Sequence, residues 1–579
     1  MHPVLQKYLL LLVMLFCGWQ QVFAQSLDNL GEKDPLKVNG GINITTMAYH
    51  ANGISSRREP FTWFLTGNLN FSFYGWSVPF SFSYSDQNKS FRQPFNRLSL
   101  APEYKWAKVY VGYHNLTYSS YTLAGHGFSG GAVELRPGKF RFQAMYGRLN
   151  KAIEEDSTKG ISPMYKRMGY GMKLGYGDEQ NALELILFRA ADDENSLSKP
   201  VTDPEIRPEE NLVISVVGKK QITSRLGVQM EYASSAYTRD TREGETSTSN
   251  LVGKVRPLFT SRASSQYFHA FNTSLGYTGN SYSLQLNYER IGPGYRTLGA
   301  YYFNNDMENI TVSGSLQLLD NQLTVSANVG QQRNNLEDTE TSATKRVVSS
   351  VNLGYVPGPK WNFNASYSNF TSYTRVRPRF DPFFEDELDS LNFYQINQNA
   401  NFSVGHNFGG DQVKQSLFFN SSFQMSKDEN DGERSGNQSQ MYSGSLAYRI
   451  NLVPQHMGFT ASMNGYRSEM AGNRSLTLGP NLGVNRSFFK KALRSSLFAS
   501  YNYQKNNENP AGKVMTVRYR AAFAPGRKKK EKEEKKGGLL NPGKHNLSLN
   551  VNWLKKMSED AKRQNFDEWT MTLNYNYSF

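Results

Sequence analysis

The chain has 579 residues, a formal net charge of +15 and a sequence pI of about 9.4. Its mean hydropathy is −0.59, yet aromatic residues make up 13% of it, with 34 Tyr and 36 Phe. A single Cys, Cys17, excludes an internally disulfide-stapled fold and multi-thiolate metal sites. So polar a chain with so many aromatics is also unlike a soluble core built on Leu, Val and Ile.

The first element is MHPVLQKYLLLLVMLFCGWQQVFA. Lys7 precedes an apolar run too short to cross a bilayer as a helix, and Val22 and Ala24 stand ahead of Gln25. This is the layout of a secretory signal peptide over residues 1–24, cut near Ala24. Phe16 stands before Cys17 where a lipoprotein signal needs a small residue. Lys7 is the only charge in the segment, so cleavage removes one positive charge. Residues 25–36 are read as a short segment ahead of the first strand, and 37–579 as one domain. Beyond residue 24 no apolar run reaches about 20 residues, so no membrane-spanning helix is expected.

From there the chain alternates apolar and polar residues with period two, which puts one set on each face of a strand. In FTWFLTGNLNFSFYG, Leu69, Phe71 and Phe73 share a face. In YSLQLNYER, Tyr282, Leu284, Leu286 and Tyr288 oppose Ser283, Gln285 and Asn287. In WNFNASYSN, Trp361, Phe363, Ala365 and Tyr367 oppose Asn362, Asn364 and Ser366. Such segments recur nearly end to end, about 26 of them (24 to 28), each near the length of a tilted membrane strand. The pattern predicts an all-β fold: a transmembrane antiparallel up-and-down β-barrel with a polar lumen and aromatic girdles.

The connections point the same way. Short ones fall at Arg136, Asp178, Gly279, Asp320 and Gly358, with the Gly, Asn, Asp and Pro that tight turns use. Long ones alternate with them: 150–163, 191–210, 237–267, 291–306, 334–344, 374–391 and 427–439. With an even strand count, short turns are expected in the periplasm and long loops outside the cell. One connection departs from this parity. PGRKKKEKEEKKGGLLNPGK follows Pro525 at a periplasmic position and carries Arg527, Lys528, Lys529 and Lys530. It reads either as a solvated insertion or as a contact for anionic lipid heads or an acidic partner.

Three loops are too aromatic for free surface loops. They are TYSSYTLAGHGFSGG with Tyr121 and His126, IGPGYRTLGAYYFNND with Tyr295 and Arg296, and RVRPRFDPFFEDELDS. The last sets Arg375, Arg377 and Arg379 beside Asp381, Glu385, Asp386 and Glu387. We expect these loops to fold into the lumen or over its mouth, where they either pack on one another or hold a ligand. Gly127-Phe128-Ser129-Gly130-Gly131 formally matches G-x-S-x-G, but it enters a strand rather than a strand-turn-helix elbow, and no third member is assignable. No enzyme activity, metal or cofactor is expected, and export argues against a nucleic-acid partner.

The last element, WTMTLNYNYSF, places Trp569, Met571, Leu573, Tyr575, Tyr577 and Phe579 on one face without a break. With the leader and the many amphipathic strands, it resembles the Gram-negative outer-membrane β-barrel proteins, with Asn/Tyr/Phe-rich strands similar to those of Bacteroidota. The resemblance implies that Trp569, Tyr575, Tyr577 and Phe579 form the signal read by the barrel assembly machinery. It also implies that the last strand pairs with the first, near Lys37 to Tyr49. About a dozen residues lie between the leader and the first strand, too few for the plug of energised transporters. Two roles stay open: a porin-like conduit for hydrophilic solutes constricted by loops, or an interaction barrel docking a secretion, lipoprotein or surface-polymer partner.

Overall fold

In the computed structural model the residues described are 36–579, apart from 87–95, 156–160, 202, 204, 249, 251–254, 256–257, 302, 338–344, 376–391, 429–437, 471, 508, 526–543 and 560–564. Residues 1–35, with the expected signal peptide, therefore lie outside the described residues. So do Arg377, Arg379, Asp381 and Glu385, and the basic run of Arg527, Lys528, Lys529 and Lys530.

The described chain folds as a closed antiparallel β-barrel. Strands β1 to β27 follow chain order, from β1 (Lys37–Asn52) to β27 (Phe566–Ser578). The short β4 (Arg97–Leu100) and β5 (Glu103–Tyr104) both lie between β3 (Trp76–Ser85) and β6 (Ala107–Thr117), so they fill one position and the wall has 26. Closure is made by β27 on β1, from Gly41 opposite Ser578 to Asn52 opposite Asp567. Phe579 completes the seam: its N–H donates to Gly40 O and its carbonyl accepts from Gly40 N–H, both at 2.9 Å. The expected pairing of last strand with first is thus present, and this seam has no open edge.

Alternation sorts the side chains. Trp569, Met571 and Leu573 are exposed on the outer face, while Asn574 points inward and donates to Thr45 Oγ1 at 2.9 Å. The two-residue link after β2 (Phe61–Phe73), Tyr74-Gly75, marks one end of the barrel, where β1 also begins and β27 ends. The turns at 136–139, 178–181, 279–281, 319–322 and 359–360 share that end. Long connections gather at the other end, with two exceptions: 471–472 and 507–508 are as short as hairpin turns. The link from β25 (Asn509–Phe523) to β26 (Lys544–Ser558) leaves and returns at the short-turn end.

One expectation changes here. The stretch 117–131 is not a single loop. Only 118–123 connects β6 to β7, and β7 (Ala124–Leu135) takes up the rest, including His126 and Ser129. The glycines that suggested a loop serve close strand packing instead: a Cβ on Gly130 would lie 2.2 Å from the Tyr146 carbonyl oxygen. His126 and Ser129 fall on opposite faces of β7 and so do not pair with each other.

One long connection goes the other way. Phe259, in the segment after β12 (Leu226–Thr238), is fully buried against Leu212 and Ala236, beside Leu187, Ile214 and Tyr267. By register these partners lie on the outer face, so residues around Phe259 drape over the outside of the wall. The Ser261 and Tyr267 hydroxyls, 2.6 Å apart, tie the drape down.

Candidate functional site

Twenty-six strands about 4.8 Å apart and tilted by about 40° close a ring about 50 Å across if it is circular. Wall side chains cannot fill such a ring, so only inserted segments can narrow it. Two of the loops singled out in the sequence do so, and they meet each other.

Segment 118–123 and segment 292–306, which links β14 (Tyr282–Ile291) to β15 (Met307–Leu318), dock against the inner face of β7 to β13. Tyr121 and Tyr295 are both buried, with ring centroids 6.2 Å apart, and Phe303 stacks obliquely on Tyr295 at 5.0 Å. The Tyr295 hydroxyl donates to the Tyr121 carbonyl at 2.9 Å, and Thr297 Oγ1 donates to the Thr122 carbonyl at 2.7 Å. Ala124 N–H donates to Gly299 O at 2.9 Å. His126 stacks on Tyr301 with centroids 4.1 Å apart, and the Tyr301 hydroxyl accepts the Gly127 N–H at 3.0 Å. The two segments therefore form one body.

The wall holds that body by specific contacts. Asn211, on β11 (Glu210–Gln221), is fully buried; its Oδ1 accepts the Leu298 N–H at 3.1 Å and its Nδ2 donates to Ser235 Oγ at 2.8 Å. Tyr121 OH donates to Glu289 Oε1 at 2.6 Å. Burial, together with that carboxylate, pushes the Tyr121 hydroxyl well above its ordinary pKa, so it stays a donor. Space is tight at Gly299: a Cβ there would lie 2.5 Å from the Thr122 carbonyl oxygen and 2.7 Å from Phe188 Cε1.

Arg296 joins a charged network at the long-loop end. Arg167 donates to Asp192 (2.7 and 2.8 Å) and to Glu209 (2.6 Å). Tyr237 OH donates to Glu209 at 2.5 Å and accepts from Arg296 Nη1 at 2.7 Å. Of the residues singled out in sequence, Tyr121, His126, Tyr295 and Arg296 thus share one assembly. Arg375 is the last residue of β18 (Trp361–Arg375), and its neighbours in that loop are outside the described residues.

The inner face that receives the loops is apolar where a bare barrel would be polar. Ile186, Phe188, Val213 and Val217 point inward and are buried. Their strands, ALELILFRAADD and ENLVISVVGKKQ, are apolar on both faces. That break in alternation is the sequence signal for the docking wall.

The opposite wall is different in kind. From β16 (Leu323–Arg333) to β22 (Met457–Met470) the inner face presents Asn352, Ser366, Asn401, Ser422, Ser443 and Asn464, bordering a cavity of about 780 Å³. Among the described residues the lumen is therefore two-sided, with a loop-packed wall and a wall whose middle band is Asn and Ser. Among the described residues, no group of three or more His, Cys, Asp or Glu is placed to hold a metal ion.

No family model and no curated protein matches the chain. Among solved structures it is similar to Acinetobacter baumannii OccAB2, with a TM-score of 0.28 and 9% identity over 69% of this chain and 98% of that one. It is also similar to the translocation pore of the P pilus usher PapC (TM-score 0.35, 13% identity, 93% and 99% covered) and to Pseudomonas aeruginosa OccK11 (TM-score 0.28, 10% identity, 94% and 96%). Likenesses this remote leave function to the chain's own geometry.

Proposed function

We propose that this chain is an outer-membrane, porin-like conduit for hydrophilic solutes, narrowed on one side by the joined loops 118–123 and 292–306. The observation that carries the reading is the Asn/Ser stretch of the opposite wall, which among the described residues borders a cavity of about 780 Å³. A barrel built only as a scaffold needs no such wall, whereas a water-filled path does.

The outer surface supports a membrane setting. Exposed apolar residues such as Leu284, Leu286, Val312, Leu446 and Leu497 cover it. Aromatic pairs mark its margins: Trp76 on Tyr104 at 4.9 Å near the short-turn end, and Trp553 on Trp569 at 5.9 Å toward the other. Trp569 and Tyr577 lie eight residues apart on β27. At about 3.4 Å per residue and a tilt of about 40°, that separation spans about 20 Å, close to the apolar band of an outer-membrane barrel.

The test is swelling of proteoliposomes in neutral sugars of increasing size. We expect swelling for small sugars and a size cut-off that rises when the loop body is loosened by Tyr295→Ala. No swelling with either protein contradicts the conduit.

A further inference from the structure

The conduit's charge is as lopsided as its packing. Among the described residues, acids on the strands' inner face are all engaged. Glu184 pairs with Lys173 at 2.7 Å and Asp192 with Arg167 at 2.7 Å. Glu134 accepts from Tyr110 OH and Gln143 Nε2, both at 2.8 Å, Glu231 accepts from Ser215 Oγ at 2.8 Å, and Glu289 accepts from Tyr121. Glu103 meets Lys108 at 3.4 Å, and Glu568 meets Arg57 at 3.6 Å.

Five inward-facing cations on β20 (Val413–Asp428) to β25 have no such partner. Lys414 lies on β20, Arg449 on β21 (Gln438–Leu452), Arg494 on β24 (Leu493–Asn506), and Arg518 and Arg520 on β25. Register puts each on the inner face. Arg449 is opposite Ser416, Arg494 opposite Ser487, Arg520 opposite Ser496 and Asn550, and Arg518 opposite Asn552; Lys414 and Ser416 are two residues apart on one face. Asn550 and Asn552 in turn lie opposite Thr572 and Thr570, on the inward face of β27. All five are exposed, and each sits within five residues of its strand's short-turn end. Within five residues of the short-turn end, no inward register position on β16 to β26 holds an Asp or Glu, and none of the five makes an ion pair among the described residues.

We propose that Lys414, Arg449, Arg494, Arg518 and Arg520 form an anion-binding belt at the short-turn mouth, and that the conduit selects small solutes bearing phosphate or carboxylate groups. Like charges gathered without counter-charges cost free energy unless an anion from solution offsets them. Arg supplies the forked donors that suit phosphate and carboxylate oxygens. The belt faces the lumen rather than the bilayer, so its ligand is a dissolved anion and not a lipid head. This inference rests on the conduit reading, and the test separates the two.

The test uses the full chain in uncharged phosphatidylcholine bilayers, with reversal potential read under a KCl gradient. The wild type should prefer chloride. Combined Arg449→Gln, Arg518→Gln and Arg520→Gln should bring the potential toward zero while conductance persists. Arg486→Gln, an outward Arg lying over the Phe488 ring at 5.0 Å, should leave it unchanged. A wild type that conducts without preference, or prefers potassium, overturns the belt and leaves the conduit standing. Absence of conductance overturns the conduit. The belt is then read by tripolyphosphate binding to detergent-solubilised protein, which should weaken with salt and be lost in the triple variant. No binding, or equal binding by that variant, overturns the belt as well.

Discussion

Asn211→Ala removes the pin between the wall and the inserted loops. Asn211 is fully buried, and Leu298, whose N–H it accepts at 3.1 Å, is 5% exposed. The variant loses that bond and the 2.8 Å bond to Ser235, and it leaves the Leu298 N–H buried without a partner. The Ser235 bond lies within the wall, and a buried donor left without its partner costs about 1–3 kcal/mol, so the loop body should be destabilised by about 2 kcal/mol. That raises the population of undocked loop about thirtyfold. Hydrogen exchange followed by mass spectrometry reads it directly. Peptides covering 292–306 should exchange faster, while β16 on the open wall stays protected. Unchanged exchange in 292–306, or an equal rise in β16, would refute the reasoning.

Other outcomes follow from the same geometry. Gly299→Val places a Cβ 2.5 Å from the Thr122 carbonyl, so the segment must lift at a cost of about 1–3 kcal/mol; protease cleavage within 292–306 should appear where the wild type resists. Arg242 grips Asp240 with bonds of 2.8 and 2.7 Å and holds its carboxyl below the usual range. Folding thus lowers this pKa, so the stabilisation is complete above the ordinary Asp value of about 3.9 and fades as pH falls through the lower folded value. Proteolytic resistance of the connection after β12 should drop over that acid window, and less so in Arg242→Gln, which starts lower. Deleting Phe579 removes two hydrogen bonds to Gly40 at the seam, about 1 kcal/mol each, and should lower the temperature at which the barrel loses its folded electrophoretic mobility.

The wall was legible because strand alternation is local. WTMTLNYNYSF shows its two faces in the letters alone, and the turn chemistry at Asp320 and Gly358 separates adjacent strands without long-range information. The meeting of Tyr121 with Tyr295 was legible only as a composition oddity, because aromatics in a loop need cover without saying which wall supplies it. ILF and LVISVV held that answer as strands apolar on both faces. The segment 124–131 misled because its glycines serve close packing in β7, which glycine composition cannot distinguish from a loop. The belt of inner cations could not be seen before register was known. Arg449 and Arg520 lie 71 positions apart, and only strand order brings them to the same mouth.

The central claim is an open path beside a docked loop body. Single-channel recording of purified protein in planar bilayers tests it most directly, comparing wild type with a variant in which residues 294–300 are replaced by a Gly-Ser linker. The account predicts steady conductance in the wild type and a larger, noisier conductance in the variant. No conductance in either protein would contradict it.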